Sequence, residues 1–500
     1  MTVTTFVTLL FVVLISISIV SSENHDFHGA VFNVRSKFSA KDRSISSLKA
    51  HDSYRHLKRV VDAGVDVHIG GSGRPDSIGV YCIGCGFEFR LYYTKIGIGT
   101  PPKEYHVQVD TGSDIMWINC IQCQGCVNKG YHGLDLTQYD PNASYTEKPV
   151  TCQEEICKDI NGVTDTVHGC KANASCFYNE NYGDGSNSMG YMVKDVVQYD
   201  SVFGDLITQL EKASVIFGCG TIQTGTINSS DDALDGILGF GNSNASVISQ
   251  LASSGKVKRM FAHCLDSDNG GGIFAIGHVV QPKVNSTHLI QEQGHYTVNV
   301  TGIEVDAEFL NLSTYAQHGG VEKRRAIIDS GTTLAYLPEV IYKPLVNKII
   351  TGRLDMRHLY PHDGYTCMDL SGSLDGEFPA VTFHFESSLS LKVYPHDYLF
   401  AYDGLTCLGW QKNDMGSKDI RETIVLGDFI LSNKLVLYDL EKQTIGWTEY
   451  NCSSNITIMD DISKFLYLVG SHRISSAFSL VIHRSITFML LVSLLIIHAK

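Results

Sequence analysis

The stretch VQVDTGSDIMWI, residues 107–118, decides how the rest of the chain is interpreted. An apolar run stops at Asp110, Thr111 and Gly112 turn the chain, and apolar residues resume at Ile115. Asp and Gly are common turn residues for conformational reasons alone. A single Asp-Thr-Gly therefore does not separate an ordinary turn from half of a catalytic site.

The same pattern occurs a second time. In the first copy, LYYTKIGIGTPPKEYHVQVD predicts a β-hairpin that runs from Leu91 into Asp110. In the second copy, HYTVNVTGIEV from His295 predicts another alternating strand, and the apolar run from Arg324 ends on Asp329 in the sequence Asp-Ser-Gly. A turn that serves only to reverse the chain needs no second copy.

Each copy is followed by an apolar segment that closes on glycine. LDGILGFG ends with Gly239 and Gly241, and TIVLGDFIL contains Gly427. The order of strand, Asp-Thr/Ser-Gly turn and apolar strand thus occurs twice. Two lobes of similar β topology, each with one carboxylate at a strand end, would bring Asp110 and Asp329 together across a pseudo-two-fold axis.

The motifs DTGSDIMW, YGDGS, DGILGFG, IIDSGTT and VLGDFIL, in this order, resemble those of the pepsin-like aspartic proteases, and more closely their nepenthesin-like plant branch. The resemblance covers about residues 91–452. It implies an all-β, bilobal fold with pseudo-two-fold symmetry and short peripheral helices. It also implies an N-terminal catalytic lobe over residues 91–290, a C-terminal catalytic lobe over residues 291–452, and a monomer that takes polypeptide substrates.

Peptide hydrolysis needs a nucleophile made from water and an acid for the leaving nitrogen. Two adjacent carboxylates that share one proton supply both, because like charges at short range do not easily ionise together. The resemblance therefore implies that Asp110 and Asp329 are the catalytic pair, one as base toward water and the other as acid toward the scissile carbonyl. This chemistry requires no cofactor, no metal and no covalent intermediate.

The resemblance also assigns supporting residues around the pair. These are Thr111 and Ser330 at the junction of the lobes, Ser113 and Thr332 beside the outer carboxylate oxygens, and Gly112 and Gly331, whose N–H groups approach the carboxylates. The segment NENYGDGSNSMGYMV contains an Asp-Gly hairpin turn. By resemblance it is the flap that closes over bound peptide. Its residues are Tyr182, Gly183, Asp184 and Gly185, with Trp117 as hydrogen-bond partner of the tyrosine.

Fourteen cysteines suit an exported chain. Seven lie within residues 120–176, where the Cys-x-x-Cys-x-x-Cys start leaves zinc as an alternative to disulfides. This cluster resembles the cysteine-rich insertion of nepenthesin-like enzymes. Since seven is odd, at least one member must pair outside the cluster, with Cys219, Cys264 and Cys452 as candidates. Cys367 and Cys407 are expected to bridge each other. The disulfide candidates are Cys120, Cys123, Cys126, Cys152, Cys157, Cys170, Cys176, Cys219, Cys264, Cys367, Cys407 and Cys452.

Cys82 and Cys85 are left over. They lie in VYCIGCGFEFR, residues 80–90, whose removal would join Gly79 to Leu91 in a continuous approach to the first strand. The stretch is therefore interpreted as an atypical inserted segment, from alternative splicing or a gene-model error. The other interpretation is a redox Cys-x-x-Cys site, but no thioredoxin-like βαβ pattern surrounds it.

The N-terminal segments carry targeting and charge signals. Residues 1–22 contain a short apolar run that ends on small residues, as in a secretory signal peptide, with an uncleaved anchor as the alternative. Residues 23–79 are expected to be a propeptide and linker. Residues 23–75 carry nine Lys/Arg against six Asp/Glu, whereas the whole chain has a net charge of −14. The positively charged leader is thus either an electrostatic lid on the acidic remainder of the chain or a solvated segment. The acidic remainder also argues against nucleic acid as a partner, because it offers no basic surface for phosphates.

Glycosylation and membrane attachment are predicted from the rest of the chain. Nine Asn-x-Ser/Thr sequons begin at Asn142, Asn173, Asn228, Asn244, Asn285, Asn299, Asn311, Asn451 and Asn455. After a linker over residues 453–476, the candidate attachment sites Ser475 and Ser476 precede an apolar tail over residues 477–500, as in a GPI signal. A transmembrane helix is the alternative, but His483 and Arg484 would lie within it. The expected location is the secretory pathway, then the extracellular face of the plasma membrane as a GPI-anchored protein, or secretion.

Two classes of function follow. The first is an acid-favouring aspartic endopeptidase made as a secreted zymogen. The second is a catalytically silent peptide-binding or inhibitor protein on the same fold, because fold does not fix function. Both Asp motifs and Tyr182 are intact, which favours the enzyme. A glycosidase with paired carboxylates does not explain the duplicated Asp-Thr/Ser-Gly context.

Overall fold

The structure is a computed structural model. It describes residues 30–36, 92–130, 134–161, 170–171, 173–182, 186–225, 227, 233–267, 271–291, 294–311, 324–351, 359–362, 364–369, 374–402, 404–414, 421–460, 463–470 and 475–476. Within these ranges, no helix has the length and apolar character needed to cross a bilayer. The predicted signal peptide, the inserted segment with Cys82 and Cys85, and the C-terminal tail lie outside the described residues.

Strands dominate both halves of the described chain. In chain order, the first half contains β1 (Ala30–Ser36), β2 (Tyr92–Ile98), β3 (Lys103–Asp110), β4 (Trp117–Gln124), β5 (Lys148–Pro149), β6 (Phe177–Asn181), β7 (Asn187–Gly204), β8 (Ile207–Thr224), β9 (Gly236–Gly239), β10 (Met260–Asp266), β11 (Gly271–Ile276), β12 (His278–Gln281) and β13 (Asn285–His288). The second half contains β14 (Thr297–Val305), β15 (Glu308–Phe309), β16 (Arg324–Ile328), β17 (Ala335–Leu337), β18 (Leu359–His362), β19 (Tyr365–Met368), β20 (Val381–Phe385), β21 (Ser390–Val393), β22 (Leu399–Tyr402), β23 (Leu405–Leu408), β24 (Trp410–Lys412), β25 (Ile424–Leu426), β26 (Lys434–Asp439), β27 (Thr444–Glu449), β28 (Ile456–Met459), β29 (Leu466–Val469) and β30 (Ser475–Ser476). The all-β, bilobal fold predicted from the sequence is confirmed.

The helices are short and peripheral. They are α1 (Glu155–Asn161), α2 (Val247–Ser253), α3 (Glu339–Ile350), α4 (Leu374–Glu377) and α5 (Asp428–Leu431). In α3, Ile341, Leu345 and Ile349 are buried and four residues apart, so one face packs against the sheet of the second lobe.

A single large sheet joins the two halves of the chain. Its strand order is β13-β27-β26-β10-β11-β1-β2-β3-β9-β4-β8-β7-β5. Strand β26 of the second half pairs with β10 of the first half, and β27 pairs with both β26 and β13. The second lobe has its own sheet, in the order β21-β20-β14-β16-β25-β17-β24.

An aromatic cluster fills the core where the halves meet. The rings of Phe261 and Tyr438 stack with centroids 4.3 Å apart, and Phe240 lies edge-on to Phe274 at 4.5 Å. Such pairs contribute about 0.5–1.5 kcal/mol each beyond the area they bury. Phe32 of β1 also packs on Phe240, with a centroid distance of 6.3 Å.

Strand β1 belongs to residues 23–79, the expected propeptide and linker. It lies between β11 and β2, where Ala30 pairs with Ile276 and Arg35 pairs with Tyr93. Phe32 is buried. Part of the predicted leader therefore forms an internal strand of the large sheet, while the charged residues 37–75 lie outside the described residues.

Six disulfides join the twelve cysteines singled out in the sequence. The pairs are Cys120–Cys219, Cys123–Cys126, Cys152–Cys170, Cys157–Cys176, Cys264–Cys452 and Cys367–Cys407. The member of the cysteine-rich cluster that pairs outside it is Cys120, whose strand β4 runs beside β8 and Cys219.

Candidate active site

Asp110 ends strand β3 at a point set by strand pairing. Strand β3 runs parallel to β9, and Asp110 lies opposite Gly239. The backbone N–H of Phe240 then donates to the Asp110 carbonyl at 2.7 Å. The side chain of Asp110 is fully buried, in spite of its carboxylate.

The second lobe repeats this arrangement. Strand β16 runs parallel to β25, with Ile328 opposite Leu426. The N–H of Asp329, the next residue, donates to the Leu426 carbonyl at 3.1 Å, and the Asp329 side chain is fully buried as well. Each lobe thus presents one carboxylate at the end of a strand that is paired with a segment closing on glycine.

The two carboxylates are held by matching donors. In the first lobe, the Gly112 N–H donates to Asp110 Oδ1 at 2.8 Å, and the Ser113 hydroxyl donates to Oδ2. In the second lobe, the Gly331 N–H donates to Asp329 Oδ1 at 2.8 Å. The Thr332 hydroxyl donates to Asp329 Oδ2 at 2.7 Å. Hydrogen bonds to a carboxylate favour its charged form and offset the cost of burying it.

Gly112 brings the two aspartates together. While its N–H bonds Asp110, its Cα faces the other lobe so closely that an added Cβ would lie 2.5 Å from Cγ, Oδ1 and Oδ2 of Asp329. Real Cβ atoms do not approach heavy atoms to this distance. Both carboxylates therefore lie against one glycine, which only glycine permits.

Backbone and hydroxyl groups cross the junction directly beneath the pair. The Ser330 N–H donates to Thr111 Oγ1 at 2.8 Å, and the Thr111 N–H donates to Ser330 Oγ at 3.3 Å. Tyr438 also hydrogen-bonds Thr111, and burial raises the pKa of Tyr438 well above its usual value. His263 Nε2 lies 3.1 Å from the Tyr438 hydroxyl. A buried chain of polar groups thus runs from His263 to the floor of the site.

The hairpin predicted to be the flap carries Tyr182, close enough to Asp110 for that carboxylate to help raise the pKa of the tyrosine. Strands β6 and β7 pair antiparallel up to Asn181 and Asn187, and the Tyr182 N–H donates to the Ser186 carbonyl at 2.8 Å. The indole N–H of Trp117 donates to the Tyr182 hydroxyl at 2.5 Å. Burial raises the pKa of Tyr182 well above its usual value, so the hydroxyl stays protonated. The other predicted flap residues, Gly183, Asp184 and Gly185, lie outside the described residues.

The cysteine-rich insertion supports the base of this flap. Helix α1 contains Cys157, whose disulfide partner Cys176 directly precedes β6. The Asn161 side-chain amide donates to the Phe177 carbonyl at 2.9 Å. Cys157 and Cys176 lie in one buried cluster with Trp117 and Tyr182. The insertion therefore holds β6 and β7 against the indole that bonds Tyr182.

Tyr296 and Tyr438 were missed from the sequence. Tyr296, fully buried, donates its hydroxyl to the Phe240 carbonyl at 2.7 Å and so ties the second lobe to the segment after Gly239. Both tyrosines lie in apolar, alternating segments that read as ordinary strands. Their roles depend on contacts between distant parts of the chain, and no local motif marks them.

The predicted glycosylation sites differ in exposure. Asn142, Asn173, Asn244, Asn285, Asn311, Asn451 and Asn455 are exposed, and Asn228 lies outside the described residues. Asn299 is half-buried, and its amide donates to Glu386 Oε2 at 3.1 Å. On geometry alone, Asn299 is the least accessible of the described sequons.

Two family models match this chain in tandem. They are Xylanase inhibitor N-terminal, over residues 92–278, and Xylanase inhibitor C-terminal, over residues 295–449. Together they include Asp110, Asp329 and Tyr182.

Plant relatives extend over nearly the whole chain. Aspartic proteinase 36 of Arabidopsis thaliana is 43% identical over 475 residues, which are 94% of this chain and 93% of the relative. Aspartic proteinase 39 of the same plant is 43% identical over 449 residues, with coverages of 89% and 90%.

Solved structures show the same fold at low sequence identity. Basic 7S globulin from soybean matches with a TM-score of 0.56 and 17% identity, and the crystal structure of edgp matches with 0.57 and 20%. Each match covers 85% of this chain and 95% of the other. At these identities the likeness concerns the fold alone.

Proposed function

The chain belongs to the plant pepsin-like aspartic protease family, and on that premise we propose that it is an endopeptidase in which Asp110 and Asp329 activate water. The aspartic proteinases that resemble it support an aspartic-type peptidase. The observation that carries the proposal is the matched pair of buried carboxylates on either side of Gly112.

The mechanism follows from the sharing of one proton by the pair. The ionised carboxylate takes a proton from a water molecule, and the resulting hydroxide attacks the carbonyl carbon of the scissile peptide bond. The protonated carboxyl donates to the carbonyl oxygen, so that a tetrahedral diol forms without a covalent enzyme intermediate. Return of a proton to the peptide nitrogen then breaks the C–N bond and leaves a carboxylic acid and an amine.

The fixed donors around the pair keep this geometry during the reaction. Ser113 and Thr332 hold the Oδ2 oxygens, and the N–H groups of Gly112 and Gly331 hold the Oδ1 oxygens. Because these donors are already oriented, little reorganisation accompanies the movement of charge. The flap with Tyr182 closes over the peptide and excludes water.

The decisive test is peptide cleavage by the purified protein with and without pepstatin. Wild-type activity should be pepstatin-sensitive, and Asp110→Asn or Asp329→Asn should each lower kcat by at least a thousandfold, on the order expected when one half of an acid–base pair is lost. Asp135→Asn is the matched control, because that carboxylate is 86% exposed. Cleavage that persists in both active-site variants would refute the pair.

The second candidate function is a peptide-binding or inhibitor protein. It is favoured by the family descriptions, which are those of xylanase inhibitors. An inhibitor would bind a xylanase equally well before and after Asp329→Asn. A peptidase would show no such binding but would lose cleavage in the same variant.

Zymogen processing belongs to the same proposal. The leader over residues 23–75 has an excess of three positive charges, so protonation of carboxylates in the acidic body would weaken its attraction to that body. Incubation of the precursor at about pH 4, where such carboxylates protonate, should shorten the wild-type chain and leave the Asp329→Asn variant intact. Shortening of the variant at an equal rate would point to another protease.

Attachment to the cell surface is also proposed, with Ser475 or Ser476 as the site of a GPI anchor. The support is sequence order, in which small residues precede an apolar tail. Phosphatidylinositol-specific phospholipase C should release the protein from the surface of expressing cells. Retention after treatment would favour a transmembrane helix.

A further inference from the structure

Exposed apolar side chains concentrate at one end of the molecule. Among the described residues, nine large hydrophobic side chains are exposed, and five of these lie on two hairpins, β7–β8 and β28–β29. The five are Phe203 at 57%, Leu210 at 59%, Phe465 at 57%, Leu466 at 57% and Leu468 at 38%. Single exposed apolar residues are ordinary, but a group marks a surface that meets another apolar phase.

The turn of the β7–β8 hairpin is joined to strand β29, near the open end of the β28–β29 hairpin. The Leu206 N–H donates to the Leu468 carbonyl at 2.8 Å, and the Leu468 N–H donates to Asp205 Oδ1 at 2.9 Å. We call four of these five side chains the apolar pole, namely Phe203, Phe465, Leu466 and Leu468.

The exposure of the leucines is a consequence of strand register. Along β29, Leu466 and Leu468 point to one face, because side chains alternate along a strand. Val469 points to the opposite face, where it is 2% exposed and packs in a buried cluster with Ile456 and Ile458. The leucines cannot turn inward unless the register slips and Val469 is expelled.

The described chain also ends at this pole. Strand β30 pairs in parallel with the start of β8, so that Ser475 lies opposite Ile207 and Ser476 opposite Thr208. In the sequence, the next apolar run is ITFMLLVSLLII, residues 486–497. The pole therefore lies beside the point from which the chain continues toward its apolar tail.

We propose that the apolar pole contacts the bilayer surface and holds the protein in one orientation on it. This inference rests on the proposed attachment to the membrane, which supplies the proximity but not the orientation. Phenylalanine and leucine side chains at a loop end suit the boundary between headgroups and acyl chains. The exposed Lys464 lies beside Phe465, where its stem can bury while its ammonium group stays among the headgroups.

The charge of the protein selects the lipid. A chain with a net charge of −14 is repelled by anionic headgroups, so apolar contact, and not charge, must drive docking. The contact should therefore form on zwitterionic phosphatidylcholine and persist at high salt, since salt screens charge interactions but not apolar ones.

Docking at this pole determines where the catalytic cleft lies. Strands β7 and β8 have 18 residues each and run from the flap at Asn187 to the pole at Gly204. At roughly 3.3 Å per residue, the flap is on the order of 50 Å from the pole along the strands. The cleft thus faces away from the bilayer, and its substrates are polypeptides outside the membrane, not membrane-embedded segments.

Fluorescence quenching tests the contact in the full chain. Wild type, Phe465→Trp and Phe309→Trp are bound to phosphatidylcholine vesicles that contain a lipid with a doxyl spin label on its acyl chain. Phe309 is the matched control, because it is 65% exposed but lies on the second lobe. The three natural tryptophans are at most 4% exposed and give the same background in each protein.

The pole predicts that the doxyl lipid quenches the tryptophan introduced at position 465 at least twofold more than the one introduced at position 309, at both low and high salt. Equal quenching of the two would overturn the proposal. The proposal would also be overturned if the chains float with the vesicles but the tryptophan at position 465 is not quenched. That result would mean that the chain's own tail or another protein covers the pole. Wild type that fails to float would overturn the pole but not the proposed GPI anchor, which phospholipase C release from cells tests on its own, and pepstatin-sensitive cleavage reports separately on the peptidase.

Discussion

Thr111 and Ser330 exchange reciprocal hydrogen bonds across the junction of the lobes, each donating its backbone N–H to the hydroxyl oxygen of the other. The two residues are 219 positions apart in the chain. Because each directly follows one of the two buried aspartates, the exchange fixes the spacing of Asp110 and Asp329. Both hydroxyls are buried, so neither N–H has water as a substitute partner.

The first prediction concerns this exchange. Thr111→Val keeps the shape of the side chain but removes Oγ1, and the Ser330 N–H loses its acceptor. We expect a loss of about 1–3 kcal/mol in the free energy of unfolding, as for a buried donor left unsatisfied, and a fall in kcat that exceeds any change in KM. Thr111→Ser keeps the oxygen and serves as the control; denaturant unfolding and steady-state kinetics are the measurements. A kcat equal to that of wild type in Thr111→Val would show that the exchange does not align the pair.

A second prediction concerns Gly112. Its replacement by alanine puts a methyl group within 2.5 Å of the Asp329 carboxylate, so the carboxylate must move. We expect cleavage to fall by at least a hundredfold, since a displacement of about 1 Å at a reacting group has an effect of that size. Gly255→Ala is a useful control, because no atom lies within 4 Å of a Cβ at that position, although its φ of +71° carries some strain. Normal activity of Gly112→Ala would contradict the position assigned to Asp329.

A third prediction links Trp117 to the flap. Tyr182→Phe removes the hydroxyl that accepts from the indole, and Trp117→Phe removes the donor. Each change should lower kcat/KM for a peptide substrate, and the double variant should lose less than the sum of the two. A coupling of about 1 kcal/mol is expected for one buried hydrogen bond. Strictly additive losses would mean that the bond has no part in catalysis.

A fourth prediction concerns stability in acid. Burial lowers the pKa of His263 to about 3, from an ordinary value of 6.5. Between pH 3 and pH 6.5, His263 is protonated in the unfolded chain but neutral in the folded chain. The free energy of unfolding is therefore highest above pH 6.5 and decreases as the pH falls toward 3. His263→Gln should flatten the decline in the free energy of unfolding by up to about 1.4 kcal/mol per pH unit within this window.

The control for this experiment is His288→Gln, because His288 is exposed on β13. Unfolding in urea at several pH values between 3 and 7 gives the two slopes. If the slope of His263→Gln matches that of wild type, His263 is not the group that limits acid stability.

A fifth prediction concerns a buried ion pair in the second half of the chain. Lys434 Nζ lies 3.1 Å from Asp397 Oδ2, and both side chains are 3% exposed. Burial raises the pKa of Asp397 even though Lys434 lies against it. The loss of hydration therefore costs this carboxylate more free energy than its attraction to Lys434 returns. Asp397→Asn should destabilise the protein by about 3–5 kcal/mol, because it leaves an unpaired buried ammonium. Asp397→Asn combined with Lys434→Met should recover a large part of this loss in thermal unfolding; failure to recover would place the effect in packing instead of charge.

Local patterns predicted the strand ends of the site. The period-two alternation before Asp110 and Asp329, and the Asp-Gly pair after Tyr182, indicate strands and turns from neighbouring residues alone. The duplication then implied two matching lobes. The residues expected to hydrogen-bond the carboxylates, Ser113 and Thr332, are close in sequence to the groups they bond.

The sequence by itself thus determined the family, the all-β class and the pair of aspartates, because each of these depends on a short motif or on its repetition. Tertiary structure decided that Gly112 lies against Asp329, that Tyr438 bonds Thr111, and that a strand of the leader is inside the large sheet. The tertiary structure also determined that Cys120 forms its disulfide with Cys219. These relationships join residues far apart in the chain, and their closeness depends on how two lobes pack, which no local pattern encodes.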